Sequence, residues 1–331
     1  MNADSTSEPT SAFLGLTPDR VVGSVEAALG VPMTALCRPL SSYVNRVFEL
    51  QQRDGQFIIA KFYRPGRWSR DAILDEHDFL LDLVEEDISV IAPLALKNGE
   101  TLADDGPFHF AVFPKKGGRS SDEFNLDQWQ ELGRLIARVH RVGARSDAPD
   151  RTVLAPDVSL AENLEAIVSS GLLEADQARS YEQVVERLID VLTPRWADIE
   201  MLRIHGDCHF ANVIQRPGEG MFLIDFDDMA IGPPVQDMWL LLPGRAHECE
   251  LQISAFLSGY ETFRDFDRRT LDLIEPLRAM RFVHYSAWCT RQYVEDGEAR
   301  AAEDFGSRTY WNTEIRDLQT QLQRIEQGEE L

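Results

Sequence analysis

Residues 203–214 read RIHGDCHFANVI, and residues 221–228 read MFLIDFDD. Two short apolar segments therefore bracket a loop that is rich in aspartate, asparagine and histidine. An unpaired carboxylate is costly beside apolar strands, so Asp207 and Asp225 are expected to meet cations or hydrogen-bond donors. A structural turn rich in aspartate is the alternative, but the pattern favours a functional site.

The spacing of these polar residues suits phosphoryl transfer. Asn212 follows Asp207 by five residues, and Asp225 stands at the end of the next apolar segment. One carboxylate can accept the proton of an attacking hydroxyl, while amide and carboxylate oxygens are the hard ligands that suit a Mg²⁺ ion bridging nucleotide phosphates. The sequence therefore predicts a base and a metal site within one short region.

The two segments contain the motifs HGDxHxxN and DFD, and through them the sequence resembles the choline and aminoglycoside kinases, which share the eukaryotic-like protein kinase fold. The resemblance implies that Asp207 is the catalytic base and that Asn212 and Asp225 bind Mg²⁺, with Asp225 also needed for catalysis. His209 takes the position where many protein kinases have a lysine that contacts the transferring phosphate. ATP is the implied phosphoryl donor.

A predicted hairpin in the first part of the chain supplies a cation. Residues 36–63 alternate as strands do, around a turn at 54–55. Lys61 shares a strand face with Phe57 and Ile59, which is an unusual place for a lysine unless an anion meets it there. The alternative is an edge-strand lysine that discourages aggregation.

A helix is predicted over residues 69–86, with Ser69 as its N-cap. It carries Glu76, and Lys61 followed by Glu76 matches the kinase ion pair that holds the α- and β-phosphates. Asp75 is adjacent, but successive helical side chains point about 100° apart, so only one of the two carboxylates should face the strand. The resemblance favours Glu76.

Two further nucleotide contacts are predicted. The segment 41–46 lies where kinases cover the phosphates; it lacks the glycines of GxGxxG, as is common in this branch, and Ser42 is the candidate for a direct phosphate contact. An ordinary polar turn is the alternative. Phe113 precedes a break at Pro114, where the resemblance places the hinge whose backbone pairs with adenine.

Strand patterns dominate the first third of the chain and helical patterns the rest. Strands are also predicted at 91–93 and 108–113, and helices at 127–141, 159–169, 175–192, 248–263, 270–295 and 308–326. We therefore predict an α+β, two-lobed protein kinase-like fold. Residues 1–114 would form an N-lobe with a small antiparallel β-sheet and one helix, and residues 115–331 a mainly helical C-lobe.

The composition of the chain limits the classes of molecule that it is expected to bind. The chain has 331 residues, of which 44% are hydrophobic, and 33 Lys and Arg against 56 Asp and Glu give a net charge of −23. Such a charge repels nucleic acid and anionic membranes at long range. Nucleotide binding then needs locally placed cations and a divalent metal.

The four cysteines form no CxxC pair, so neither a zinc site nor a disulfide framework is indicated. The first residues lack a signal sequence, and no apolar run approaches the roughly 20 residues that cross a bilayer. We expect a cytoplasmic protein without a membrane partner, and a monomer.

The resemblance extends over nearly the whole chain, and it is strongest to bacterial stress-response kinases of the family. It is carried by residues 42–48, 61–68, 75–77, 110–114 and 232–239. It implies transfer of the γ-phosphoryl group of ATP to serine or threonine in proteins, with possible autophosphorylation, during bacterial stress.

Two other functions stay open. A small-molecule kinase for choline, homoserine or an aminoglycoside would share every catalytic residue, and Tyr285, Trp288, Glu295 and Asp296 are candidates for its cationic-acceptor pocket. A non-enzymatic nucleotide-binding regulator is disfavoured because the base Asp207 is present.

Three other polar residues have structural interpretations. Asp237 in the segment GPPVQD matches a family position that braces the catalytic loop. His140 ends a predicted helix, where it would interact with the helix dipole. Cys208 adjoins the base, and redox control through it is the weaker hypothesis.

Overall fold

The predicted hairpin forms the centre of a five-stranded antiparallel sheet. The computed structural model describes residues 11–297, 299, 302 and 304–328. The strands are β1 (Met33–Leu40), β2 (Arg46–Gln52), β3 (Phe57–Phe62), β4 (Ala103–Asp105) and β5 (Phe108–Pro114). Their spatial order is β1-β2-β3-β5-β4. The register sets Lys61 on β3 between Val47 and Ala111.

The prediction of a strand at 91–93 is wrong. This segment is irregular. The residue after it, Leu94, donates its backbone N–H to the carbonyl oxygen of Val112 on β5 at 2.7 Å. Pro93 has no N–H to donate, so the segment cannot continue a regular ladder. The strand predicted at 108–113 is confirmed.

Two helices accompany this sheet, α1 (Pro18–Leu29) and α2 (Arg70–Glu85). The prediction of α2 is confirmed, and Ser69 caps it by accepting the N–H of Ala72 at 3.0 Å. The sequence analysis did not predict α1, although Thr17 caps its first turn and a proline follows.

The remaining part is mainly helical, as predicted. Its helices are α3 (Leu126–Gly143), α4 (Ala161–Ser169), α5 (Ala175–Leu192), α6 (Gln236–Trp239), α7 (Glu250–Tyr260), α8 (Ile274–Asp296) and α9 (Arg308–Gln327). The predicted helix at 159–169 begins with a short π-helical turn at Pro156–Leu160. All six helices predicted in this part are confirmed, with shifts of a few residues at their ends.

Short strands flank the polar loop that contains Asp207 and Asn212. They are β6 (Arg119–Ser120), β7 (Leu202–Ile204), β8 (Val213–Arg216), β9 (Gly220–Leu223) and β10 (Ala230–Gly232). The strands β6, β8 and β9 form one small sheet, and β7 pairs with β10 in another. The α+β, two-lobed protein kinase-like fold is confirmed, with the small antiparallel sheet first and the helices after it.

Close packing of α3 against α7 organises the helical part. A Cβ atom at Gly133 on α3 would collide with the carbonyl oxygen of Phe256, and one at Gly259 on α7 would collide with that of Gln130. The two backbones therefore touch only because both positions lack a side chain. This contact positions the end of α3, where a Cβ atom at Gly143 would collide with the carbonyl oxygen of Arg203 on β7.

The division of the lobes after residue 114 stays a prediction. The start of the first predicted range and the end of the second lie outside the described residues. Within the described part of the chain, no helix has the length and apolar character required to span a membrane.

Candidate active site

The loop at 205–212 runs from β7 to β8 and is held from below by Asp237. This aspartate on α6 is fully buried. Its two carboxylate oxygens accept the backbone N–H groups of His205 at 2.7 Å and Gly206 at 2.8 Å. Burial alone would raise the pKa of Asp237, but the hydrogen bond from His140 and these donors hold it below its ordinary value. The predicted bracing position of Asp237 is confirmed.

His140 lies in the last turn of α3, near the helix end as predicted. It is also fully buried, with Nε2 at 3.0 Å from Asp237 and Nδ1 at 2.9 Å from the Tyr260 hydroxyl. An ionised Asp237 can only accept, so Nε2 of His140 donates the hydrogen bond to it. His140 thus links α3 and α7 to the catalytic loop.

Asp207 lies on this loop between His209 and Arg281. Its Oδ2 is 3.3 Å from His209 Nε2, and its Oδ1 is 2.9 Å from Arg281 Nη2 on α8. Burial would raise the pKa of Asp207, but the hydrogen bond from His209 and the charge of Arg281 outweigh it and hold the pKa well below its ordinary value. The same hydrogen bond raises the pKa of His209. Asp207 is therefore ionised at neutral pH.

Asn212 is oriented by the loop itself. Its side-chain Nδ2 donates to the carbonyl oxygen of Asp207 at 3.0 Å. This hydrogen bond fixes the amide so that Oδ1 is left as an acceptor. A hard cation beside Asn212 would meet that oxygen.

The buried Lys61 lies among three carboxylates. Its Nζ is 2.9 Å from Asp227, 3.4 Å from Asp225 and 3.6 Å from Glu76. Burial would lower the pKa of Lys61, but the three carboxylates raise it well above its ordinary value. Glu76 is the most distant of the three and is 1% exposed, and burial raises its pKa to about 7 despite the lysine. Asp75 turns away and accepts the N–H of Asp150 at 3.0 Å.

Asp227 is the nearest partner of Lys61 and was not predicted. Arg67 contacts both Asp227 and Asp228 at 2.5 Å, and Arg151 donates to the carbonyl oxygens of Asp227 and Met229. The charges of Arg67 and Lys61 outweigh burial and lower the pKa of Asp227. Asp227 belongs to the quoted DFDD, so the signal was an acidic residue directly beside the expected metal ligand.

Asp225 differs from Asp227 in exposure and backbone shape. Its side chain is 58% exposed to the cleft, and its φ of 61° lies in the left-handed region. Non-glycine residues seldom adopt this conformation, and those that do cluster at functional sites. The bend separates Asp225, which faces the cleft, from Asp227, which is buried below it.

The donors near the cleft fit a hard divalent cation. The carboxylate of Asp225 and the amide oxygen of Asn212 are ligands that Mg²⁺ and Ca²⁺ prefer. Among the described residues, no group of three or more His, Cys, Asp or Glu side chains is arranged to hold a metal ion. A cation here would therefore complete its shell with phosphate oxygens and water.

One cavity of about 1230 Å³ lies between the sheet and the helices and collects the residues singled out by the sequence. Its lining includes Ser42, Lys61, Glu76, Phe113, Asp207, His209, Asn212 and Asp225. The cavity is large enough for a nucleotide together with an acceptor group, since ligand pockets typically measure about 300–1,000 Å³. The roles assigned to these eight residues remain predictions.

Cys208 points away from this cavity. It is fully buried, and burial, followed by the nearby Asp237 and Asp207, raises its pKa well above the ordinary value. A thiol in this state resists oxidation. The geometry gives no support to redox control at this position.

The two-lobed fold, with a lysine and an aspartate and asparagine loop facing one cavity, defines the class of kinase-like phosphotransferases. The phosphotransferase enzyme family APH matches residues 36–274, and the chain belongs to this family.

Curated relatives cover most of the chain. It is 36% identical over 300 residues to "Stress response kinase A" of Escherichia coli (strain K12), with 90% of each chain covered. It is 37% identical over 304 residues to "Serine/threonine protein kinase RdoA" of Salmonella typhimurium, again with 90% of each covered. These names support the resemblance to bacterial stress-response kinases.

Solved structures confirm the fold. Amicoumacin kinase hAmiN, in complex with AMP-PNP, Ca²⁺ and Ami, has a TM-score of 0.74 at 19% identity and covers 91% of this chain and 93% of its own. Choline kinase LicA from Streptococcus pneumoniae has a TM-score of 0.65 at 14% identity and covers 92% and 98%. At these identities the similarity concerns the fold alone.

Proposed function

We propose that the chain is an ATP- and Mg²⁺-dependent protein kinase that transfers the γ-phosphoryl group to serine or threonine hydroxyls. The observation that carries the proposal is the 3.4 Å contact between Lys61 and Asp225, which brings the phosphate-binding lysine and the predicted metal ligand to one point. One triphosphate could not reach both residues if they lay more than about 15 Å apart. Protein as the acceptor is supported by the name of one curated relative, the serine/threonine protein kinase RdoA.

Asp207 performs the proton chemistry in this proposal. It is ionised, its carboxylate lines the cavity, and it accepts the proton from the acceptor hydroxyl as that oxygen bonds to the γ-phosphorus. The bond from the γ-phosphorus to the bridging oxygen breaks in the same event, and ADP takes that electron pair. Asp237 keeps the loop in place through His205 and Gly206.

The nucleotide is positioned by the remaining predicted residues. Asn212 and Asp225 would hold Mg²⁺, which neutralises phosphate charge when bound. Lys61 contacts the α- and β-phosphates while Glu76 restrains it, Ser42 meets a phosphate, and the backbone at Phe113 meets adenine. His209, beside Asp207, contacts the transferring phosphoryl group.

A small-molecule kinase is the second candidate, because the fold is shared with a choline kinase and an amicoumacin kinase. Its predicted acidic residues are already engaged, however. Arg64 lies 2.7 Å from Glu295 and 2.9 Å from Asp296. These carboxylates are therefore partly neutralised before a cationic acceptor arrives, which favours the protein substrate.

Radiolabelled ATP distinguishes the two candidates. Purified chain is incubated with Mg²⁺ and a general protein substrate, and in parallel with choline, homoserine and an aminoglycoside. We expect label on the protein, and none with Asp207→Asn run as a control for contaminating kinases. Label that appears on small molecules alone would refute the protein kinase proposal. Bacterial stress response, a cytoplasmic location, autophosphorylation and a monomeric state remain predictions.

A further inference from the structure

The acceptor end of the cavity is lined by basic residues of α8. Arg281, His284 and Arg291 all line the cavity and follow one another at helical spacing. Arg67 lines it from the other side. Because residues three or four positions apart share a helix face, α8 presents one basic stripe to the cavity.

The stripe acts as one electrostatic unit around His284. This side chain lines the cavity, and its pKa falls to about 4. Enclosure by the walls of the cleft is the main cause, and the charges of Arg281, Arg291 and Arg67 add to it, while Asp228 opposes them. Enclosure and the three cations together keep the histidine neutral at pH 7.

The basic residues differ in how far they are neutralised. Arg281 pairs with Asp207, and Arg67 pairs with Asp227 and Asp228. By contrast, Arg291 donates to the neutral amide oxygen of Asn163 at 3.1 Å, and that asparagine is buried.

Two acidic residues, Glu162 and Glu295, also line the cavity. Glu295 forms an ion pair with Arg64, so part of its charge is already used. Glu162 attracts Arg291, but the two form no ion pair in the described part of the chain. The guanidinium of Arg291, with the neutral His284 about two turns away, is thus available to an incoming anion.

We propose that Arg291 and His284 form a subsite for an acidic side chain that flanks the phosphoacceptor in a peptide substrate. The proposal rests on the proposed protein kinase function and specifies its substrate class. A guanidinium binds a carboxylate through two parallel hydrogen bonds, and neutral His284 can donate one more.

The helix fixes the spacing of this motif. Arg281 touches the base Asp207, and Arg291 follows ten residues later on the same helix. Ten helical residues span about 15 Å. An extended peptide covers about 3.4 Å per residue, so the acidic residue lies about four positions from the acceptor serine.

Peptide binding tests the subsite without relying on catalysis. Three fluorescein-labelled peptides each carry one serine, with Glu, Ala or Lys four positions away on both sides. Anisotropy is measured with Mg²⁺ and a non-hydrolysable ATP analogue at about 0.15 M salt, where screening over about 8 Å suppresses the repulsion from the net charge. We expect the Glu peptide to bind at least about tenfold more tightly than the Lys peptide.

Charge variants locate the effect. Arg291→Glu should remove the preference for the Glu peptide, whereas Arg291→Lys should keep most of it. Arg179→Glu is the matched control, because Arg179 is exposed on α5 and its reversal changes the net charge by the same amount. Thermal unfolding of each variant verifies that it is folded, and Arg291→Gln replaces Arg291→Glu if that variant is not.

Phosphorylation of the same peptides separates this inference from the function on which it rests. Equal binding of all three peptides, or a preference unchanged in Arg291→Glu, would overturn the subsite even if every peptide is phosphorylated. A preference for the Glu peptide that depends on Arg291, without phosphorylation of any peptide, would support the subsite and count against the protein kinase function.

Discussion

Replacing the two aspartates of the cleft one at a time separates proton chemistry from metal binding. Asp207→Asn keeps the size of the side chain but cannot accept a proton. Its side-chain partners are His209 and Arg281, and the backbone carbonyl that holds Asn212 is unchanged by the substitution. Phosphoryl transfer should therefore collapse while the nucleotide still binds.

The magnitude follows from the role of a general base. Such a base contributes about 10²–10⁴-fold, so we expect kcat to fall by about 10³-fold in Asp207→Asn, with the Kd for Mg-ATP changed by less than about threefold. Asp225→Asn loses a charged ligand oxygen and weakens the contact with Lys61. Its Kd should rise by at least about tenfold, because a hydrogen bond or ligand contact to a charged group contributes about 1.5 kcal/mol or more.

Two measurements on each variant test this division. Single-turnover transfer from radiolabelled ATP reports the chemical step, and titration with a fluorescent nucleotide, with and without Mg²⁺, reports binding. In Asp225→Asn the gain in affinity from Mg²⁺ should shrink, whereas in Asp207→Asn it should persist. An equal loss of nucleotide affinity in the two variants would show that the roles assigned to Asp207 and Asp225 are wrong.

Three further substitutions probe stability through denaturant unfolding. Lys61→Met leaves the buried Glu76 without its lysine and should lower the free energy of unfolding by up to about 3 kcal/mol at pH 8. The loss should be smaller at pH 5, because Glu76 is protonated there. An equal loss at both pH values would contradict this. Burial raises the pKa of Glu314 to about 7, so the stability that it contributes is present below the unfolded value and is lost as pH rises through about 7. Glu314→Gln should therefore gain up to about 3 kcal/mol over the native chain between pH 5 and pH 8, and no gain would refute it. Gly133→Ala should cost about 2 kcal/mol because α3 and α7 must separate, while Gly23→Ala, with open space around it, should be neutral or stabilising.

Local sequence patterns predict much of the candidate site. Asp207 and Asn212 lie on one short loop between strands, so their proximity follows from five residues of chain. Lys61 is distant in sequence, but a lysine on an apolar strand face already demanded an anion. What joined the two parts was the resemblance to a kinase fold, because spacing alone does not bring residue 61 to residue 225.

The contacts that the sequence did not predict come from packing between helices that are distant along the chain. Arg281 reaches Asp207 from α8. The hydrophobic periodicity of that largely buried helix does not show which of its faces meets the cleft. His140 likewise acquires its partners from α6 and α7, and its position at a helix end suggested the dipole instead. Such contacts depend on how the helices cross, which close approaches such as that at Gly133 decide.

The charges of the cleft explain how so acidic a chain can accept a nucleotide. Around Lys61 three carboxylates face one ammonium group, and Arg67 forms ion pairs with the buried Asp227 and the partly exposed Asp228. The carboxylate of Asp225, turned toward the cleft by its left-handed backbone, is the most exposed of the three. A bare triphosphate would meet that negative charge directly, whereas a triphosphate that brings a divalent cation converts the same carboxylate from a repelling group into a ligand. The exposed position of Asp225 thus gives the proposed requirement for a metal an electrostatic reason.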